Sequence, residues 1–220
     1  GLCGYSVRNC WGENNELMVY MGRAGYRDEN GALLKPGRVR MKLTPNPFEN
    51  GTFRQELKLH EGYVLISGAL PDGIPVNIKG WVEVARPIVH LDIKSEKPVT
   101  VETTYESWRT KDIELTNDPS KHDRRAMCMM NYDTYEGKVF LYKDEIRPND
   151  EFVSFYHRVD NTKDCFEFQV KQQGLEPVRE QLANPLENLI WGGALVGDNF
   201  VLAGETNGTF AETPFKGWKY

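Results

Sequence analysis

Short apolar runs and alternating apolar and polar positions recur along the whole chain. Residues 17–21 form an apolar run of strand length, and residues 38–43 alternate between basic and apolar side chains. Segments of the same two kinds lie at 53–59, 63–66, 74–78, 89–93, 99–105, 138–142, 152–158, 166–170, 191–196 and 200–202. Because Gly, Pro, Asn and Asp separate them, the pattern predicts an all-β fold: a large antiparallel β-sandwich with two large sheets.

Two stretches depart from this pattern. Residues 109–125 are strongly charged, and we expect them to form a surface loop between strands. Residues 175–182 carry Pro177 near their start, and Pro185 follows them, which predicts one short helix.

The connection between residues 17–21 and 38–43 is too long and too polar for a tight hairpin turn. It carries Arg23, Tyr26, Arg27 and Asp28, followed by more polar residues. Such side chains can hydrogen-bond to a polar ligand or stack on it, and long loops on β scaffolds often hold binding groups. We therefore predict that this elbow contacts a carbohydrate or a partner domain. The alternative is a solvated loop without function, which would contain the same residue types.

The length, charge and composition of the chain exclude several classes of protein. The chain has 220 residues, enough for one large domain, and its net charge of −5 leaves no basic stripe for nucleic acid. No apolar run approaches the roughly 20 residues of a membrane-spanning helix. The four cysteines form no CxxC pair, so we expect buried or free thiols rather than a zinc site.

A search for catalytic patterns finds none. There is no Gly-x-Ser-x-Gly motif and no phosphate-binding loop, and a metal site would require the four scattered histidines to converge. Asp28 with Glu29 is one candidate pair of catalytic acids, and Glu205 is another acid in a polar loop. Ordinary surface positions explain these acids as well. We predict no catalytic residue, no metal and no cofactor.

Aromatic side chains are a stronger lead. Trp191 precedes Gly192 and Gly193, and Trp11 precedes Gly12, so small neighbours could leave a face of each indole open to a sugar ring. Packing into the core is the alternative for each tryptophan. We include Trp191 with the elbow as a candidate contact residue.

Several segments together resemble a family of N-terminal β-sandwich domains, of unassigned function, found in secreted bacterial glycoside hydrolases. The matching segments, in chain order, are residues 16–22, 29–40, 45–48 with 53–55, 108–110, 156–158 and 170–176. The architecture is similar to the sandwich domain of hydrolases of the α-fucosidase type, in which a supersandwich packs against an α/α toroid that carries the catalytic carboxylates.

The resemblance implies one domain over residues 1–220, clipped near residue 1 and forming the N-terminal part of a larger enzyme. Its implied partner is a downstream α/α-toroid of the same polypeptide, with carbohydrate as a candidate ligand and a periplasmic or secreted location. Because no helical repeats follow residue 220 and no acid/base pair is recognisable, the chain alone is expected to be non-catalytic. Residues 215–220 show no closing strand pattern, which argues against a free-standing module. A free-standing carbohydrate-binding module, an autonomous hydrolase and a purely structural domain are the alternatives.

Overall fold

The computed structural model describes the backbone of residues 3–9 and all atoms of residues 16–49, 53–116 and 137–220. The strands are β1 (Cys3–Asn9), β2 (Leu17–Arg23), β3 (Arg38–Thr44), β4 (Arg54–Lys58), β5 (Tyr63–Ala69), β6 (Pro75–Val82), β7 (Val89–Ser95), β8 (Thr100–Ser107), β9 (Ile113–Leu115), β10 (Val139–Leu141), β11 (Glu145–Pro148), β12 (Phe152–Arg158), β13 (Ile190–Val196), β14 (Gly204–Phe210) and β15 (Thr213–Lys219). The helices are α1 (Phe166–Gln172) and a 3₁₀ helix (Glu176–Gln181).

All described strand pairs are antiparallel, and the fold is an all-β sandwich, as predicted. The largest sheet has six strands in the order β1-β2-β3-β8-β15-β14. A four-stranded sheet β4-β5-β6-β7, a three-stranded sheet β11-β12-β13 and the pair β10-β9 complete the described part of the chain. The prediction of two large sheets therefore misses the division of the second layer into smaller sheets.

The six-stranded sheet uses one face to build two cores. Alternating residues of β2 and β3 pack on the four-stranded sheet in the first core, which contains Leu17, Met41, Leu43, Ile66, Val76 and Ile78. Further along the same face, Tyr105 of β8 and Trp218 of β15 pack on Val153 and Phe155 of β12. Each fully buried side chain of this size contributes about 1.5–3 kcal/mol, so the two cores hold the layers together.

Two of the predicted strands are wrong. Residues 166–170 lie in α1, because Phe166 and Val170 are four residues apart and both point into the core, which is a helical period. The carboxylate of Asp164 accepts a hydrogen bond from the Phe166 amide (3.0 Å) where this helix begins. Residues 200–202, the second of these, have no strand conformation and precede β14. The short helix predicted at 175–182 is confirmed as the 3₁₀ helix.

The C-terminal segment differs most from the expectation. Residues 213–219 form β15, which lies between β8 and β14 inside the six-stranded sheet. Pro214, Lys216 and Gly217 hide the alternating pattern in the sequence, although Trp218 is only 4 % exposed. The prediction that the chain ends without a closing strand, which argued against a free-standing module, is therefore wrong.

No helix within the described residues has the length and apolar character needed to cross a membrane.

Candidate functional site

The elbow, residues 23–34 between β2 and β3, is an ordered loop that folds back on itself. The amide of Leu34 donates to the carbonyl of Tyr26 (2.7 Å), and Arg27 and Leu33 form an isolated antiparallel bridge. The chain reverses between Asp28 and Gly31, where the Gly31 amide donates to the Asp28 carbonyl (3.0 Å) and Gly31 has a φ of 72°. A positive φ favours glycine, so this residue type suits the reversal.

Asp28 is buried and holds the tip of the elbow together. Its Oδ1 accepts hydrogen bonds from the amides of Asn30 (3.1 Å) and Ala32 (2.9 Å). Burial raises the pKa of the Asp28 carboxyl to about 6, even though these hydrogen bonds act in the opposite direction. The side-chain amide of Asn30 also donates to the carbonyl of Phe140 (2.8 Å), which attaches the tip to β10.

Glu29, which is 2 % exposed, connects the elbow to the segment that follows β12. Its Oε1 accepts from the amide of Asp160 (3.0 Å), and its carbonyl accepts from the amide of Cys165 (2.8 Å). Its Oε2 lies 3.2 Å from Nε2 of His157 on β12. Three contacts with separate parts of the chain therefore fix this one residue.

His157 and Glu29 belong to a buried chain of charges that continues through Asp144 to Arg109. His157 Nδ1 lies 3.2 Å from Asp144 Oδ1, although the two atoms are not aligned as a hydrogen bond. The Arg109 guanidinium forms a two-pronged ion pair with Asp144 and donates to the carbonyl of Lys35 (2.5 Å). Two carboxylates thus face one imidazole and one guanidinium, and this balance permits their burial.

The network keeps His157 protonated. Burial alone would lower the pKa of the imidazole, but the carboxylates of Asp144 and Glu29 outweigh it and raise this pKa to about 9. The cationic form is therefore the one that the fold stabilises at neutral pH.

Trp191 of β13 closes this cluster on one side. Its ring lies 4.8 Å from the ring of Tyr26 and 5.4 Å from that of His157, measured between centroids. Its Nε1 donates to the carbonyl of Arg27 (2.9 Å), and the Tyr26 hydroxyl donates to the carbonyl of Gly192 (3.5 Å). The indole is only 6 % exposed, so Tyr26 and His157 cover the faces that the small neighbours were expected to leave open.

The five predicted contact residues have different positions. Tyr26, Arg27 and Trp191 contact one another, and Arg27 donates from Nη1 to the carbonyl of Gly31 (2.5 Å). Arg23 is exposed at the end of β2. Asp28 is buried with hydrogen bonds to its own loop, which differs from the expectation that it faces a ligand. The elbow's surface is therefore formed by Tyr26 and its neighbours rather than by its carboxylates.

Sequence reasoning missed His157, Asp144 and Arg109. Arg109 was expected in a charged surface loop, but it is 2 % exposed because it pairs with Asp144 beneath Trp191. Residues 113–115 of that predicted loop form β9 instead, and the part from residue 117, like Trp11, lies outside the described residues. The sequence signal that could have identified Arg109 and His157 is that segments 108–110 and 156–158 are both among those that match the family resembled.

Beside the elbow, β13 has exposed apolar side chains on one face. Ile190 is 51 % exposed and Val196 is 67 % exposed, with Gly192 and Ala194 between them on the same face. Among the described strands, β13 pairs only with β12 and forms the end of its sheet. Exposed apolar edge strands favour association with another chain or domain.

The described residues include no cluster of three or more His, Cys, Asp or Glu placed to hold a metal ion. Cys165 is a free, buried thiol, as expected, and burial raises its pKa to about 12. Cys3, Cys10 and Cys128 have no described side chains.

These features define a β-sandwich domain with a hydrogen-bonded elbow and an apolar sheet edge beside it. The chain belongs to a family described as "Domain of unknown function (DUF5703)", whose N-terminal domain model matches residues 4–220. No curated protein and no solved structure matches the chain significantly. The family membership therefore agrees with a β-sandwich domain of unassigned function, and it assigns no activity.

Proposed function

We propose that this chain is the non-catalytic N-terminal β-sandwich domain of a glycoside hydrolase that degrades polysaccharides. In this proposal a catalytic α/α-toroid of the same polypeptide packs against the elbow and β13. The enzyme acts in the periplasm or outside the cell. The resemblance described above supplies the class of enzyme, and the surface beside Trp191 supplies the docking face.

The observation that carries the proposal is the apolar edge of β13. Ile190 and Val196 are more than half exposed on one face of β13, and the elbow, where Tyr26 packs on Trp191, lies beside this strand. Removing apolar surface from water contributes about 25 cal/mol per Å². Covering this edge with a partner domain would therefore be favourable.

The buried charge network supports the same role. Glu29, His157, Asp144 and Arg109 link the elbow to β12 and to the segments on either side of β9 and β10. A docking surface whose loop is already ordered loses little conformational entropy on association. In this proposal the network orders the docking surface and takes no part in catalysis.

Sequencing the gene beyond the codon for Tyr220 tests the proposal most directly. Amphipathic helices at the spacing of an α/α toroid are the expected result. A stop codon directly after Tyr220 would overturn this arrangement.

Activity gives a second test. Assays with a panel of chromogenic glycosides should show no turnover by the 220-residue chain and turnover by the polypeptide that includes the downstream helices. Turnover by the chain alone that is abolished by changing one of its own Asp or Glu residues would contradict a non-catalytic role.

Docking can be separated from folding with charged substitutions on β13. Ile190→Asp and Val196→Asp change exposed side chains, so each should alter the free energy of unfolding of the chain by about 0.5 kcal/mol or less. Each should nevertheless weaken association with the toroid and increase hydrogen exchange across β13 in the longer polypeptide. Val84→Asp is the matched control, because Val84 is 97 % exposed and follows β6 in a different sheet.

A free-standing carbohydrate-binding module is the second candidate function. One observation favours it: an aromatic cleft lies on the six-stranded sheet, on the face opposite the two cores. A stop codon after Tyr220 together with binding of oligosaccharides would support this candidate.

A further inference from the structure

The outer face of the six-stranded sheet holds an open cleft of about 760 Å³ that we call the outer cleft. It lies between the start of β3, the end of β8 and the hairpin of β14 and β15. Four aromatic side chains line it, and all are partly exposed: Tyr20, Trp108, Phe210 and Phe215.

The outer cleft is basic although the chain is acidic overall. Its described lining includes the cations Lys35, Arg38 and Lys111 and no Asp or Glu; Lys216 also borders it, but its ammonium lies 5.3 Å from the ring centroid of Trp218 on the other face of β15. Arg38 is paired with Glu106 and Lys216 with Glu205 (2.8 Å), but the Lys35 and Lys111 ammonium groups have no ion-pair partner among the described residues. Against a chain net charge of −5, this cleft is a local concentration of positive charge.

Arg38 provides a fixed cation in the wall of the cleft. It is 3 % exposed, and its guanidinium carbon lies 4.5 Å from the ring centroid of Phe210 and 4.8 Å from that of Phe215. Nη1 donates to the hydroxyl of Tyr20 (3.3 Å), while Nη2 has no hydrogen-bond partner among the described residues. A buried donor without a partner is unfavourable, and this nitrogen leaves part of the charge of Arg38 without a direct partner in the wall of the cleft.

Glycine residues of the sheet make room for these rings and ion pairs. A Cβ at Gly208 would lie 2.6 Å from the ring of Phe215, its cross-strand neighbour. A Cβ at Gly217, directly opposite Glu106, would lie 2.7 Å from the side chain of Thr104. The aromatic lining of the outer cleft therefore requires glycine at positions 208 and 217.

We propose that the outer cleft binds an acidic oligosaccharide, with a sugar ring against Trp108 or Tyr20 and its carboxylate or sulfate near Lys35 and Lys111. Flat aromatic faces suit the apolar faces of sugar rings, and the ammonium groups, supported by Arg38, attract the anion. The preference for an anionic sugar follows from the positive charge of the cleft. The choice of a sugar rests on the proposed role in polysaccharide degradation.

Binding is tested by calorimetric titration of the 220-residue chain with four ligands. These are a uronate oligosaccharide, the same oligosaccharide with its carboxyl groups reduced to alcohols, a sulfated oligosaccharide and its desulfated form. We expect the acidic ligands to bind and their neutral counterparts to bind at least about tenfold more weakly, with an affinity that falls as salt screens the charges. Comparison of the two acidic ligands separates carboxylate from sulfate.

Substitutions in the cleft identify the groups responsible. Lys35→Gln and Lys111→Gln should each weaken binding of the acidic ligand about threefold, because each removes one exposed charge. Trp108→Ala should weaken it roughly tenfold. Lys94→Gln, an exposed change in the four-stranded sheet, is the control and should leave binding unchanged.

Equal binding of acidic and neutral ligands, no binding of either, or binding that Lys35→Gln, Lys111→Gln and Trp108→Ala leave unchanged would overturn this inference. None of these results bears on docking of the toroid, because the variants of β13 test that on a separate sheet. Conversely, a stop codon after Tyr220 would remove the toroid and leave the cleft to be tested as before.

Discussion

Nε2 of His157 lies 3.2 Å from Oε2 of Glu29, although the two residues are 128 positions apart in the chain. The contact joins the elbow to the centre of the three-stranded sheet. Because Asp144 and Arg109 extend it on the other side of the imidazole, four ionisable groups become a single buried unit. Its most direct consequence is a dependence of folding on the protonation of one histidine.

We predict that the free energy of unfolding falls as the pH rises from about 6.5 to 9. The pKa of His157 is raised from 6.5 to about 9 in the folded state, so the folded chain holds this proton more tightly than the unfolded chain. The stabilisation is complete below pH 6.5, and it is lost as the pH rises through 9. It corresponds to roughly 3 kcal/mol, measurable by urea denaturation at a series of pH values.

The variant His157→Gln separates this effect from other titrations. It should be less stable at pH 7 by about 3–5 kcal/mol, because it leaves two buried carboxylates with one cation. Its free energy of unfolding should also no longer show the fall with rising pH that is assigned to His157. The same decline in the variant would assign the titration to another group.

The six-stranded sheet should tolerate a methyl group at one strand glycine and reject it at another. Gly217→Ala places a Cβ 2.7 Å from Thr104 Cγ2 and 2.9 Å from Thr206 Cγ2, and should cost about 1–3 kcal/mol. Gly22→Ala in β2 is the control, since a Cβ there would meet no atom within 4 Å. Thermal denaturation of both variants checks the prediction, and similar melting temperatures would contradict it.

Trp218 should contribute much more to stability than Trp81. Trp218 packs against Tyr105 in the second core, with ring centroids 6.1 Å apart, and Trp218→Ala should cost about 3–5 kcal/mol. Trp81 is partly exposed and stacks on His90 in the four-stranded sheet, so Trp81→Ala should cost clearly less. Equal losses in chemical denaturation would argue against a structural role for β15 between β8 and β14.

Trp191→Phe should loosen the elbow while leaving the fold intact. Phenylalanine keeps a ring between Tyr26 and His157 but loses the hydrogen bond from Nε1 to the Arg27 carbonyl (2.9 Å). We expect a loss of about 0.5–1.5 kcal/mol and faster hydrogen exchange of the Leu34 amide, which closes the elbow. Trp108→Phe, in the outer cleft, should leave exchange in the elbow unchanged.

The strand pattern shows how far the sequence can be interpreted. The predicted strand at 38–43 is confirmed because its alternating basic and apolar residues face opposite sides of β3. Residues 166–170 were predicted as a strand because a short apolar run fits a buried strand or a helical turn equally well. β15 was missed because its neighbours β8 and β14, rather than its own alternation, determine its place.

The sequence by itself determined the class of fold, most strand positions in the first two thirds of the chain, and the elbow as a candidate site, because these follow from local periodicity and residue type. Only the tertiary structure decided that Asp28 and Glu29 are buried, that Arg109 leaves the expected surface loop, and that Tyr20 and Phe215 line one cleft. Each of these outcomes depends on a partner far away in the chain, such as His157 for Glu29 or Asp144 for Arg109. Burial of a charge depends on whether such a partner meets it, and no local pattern contains that information.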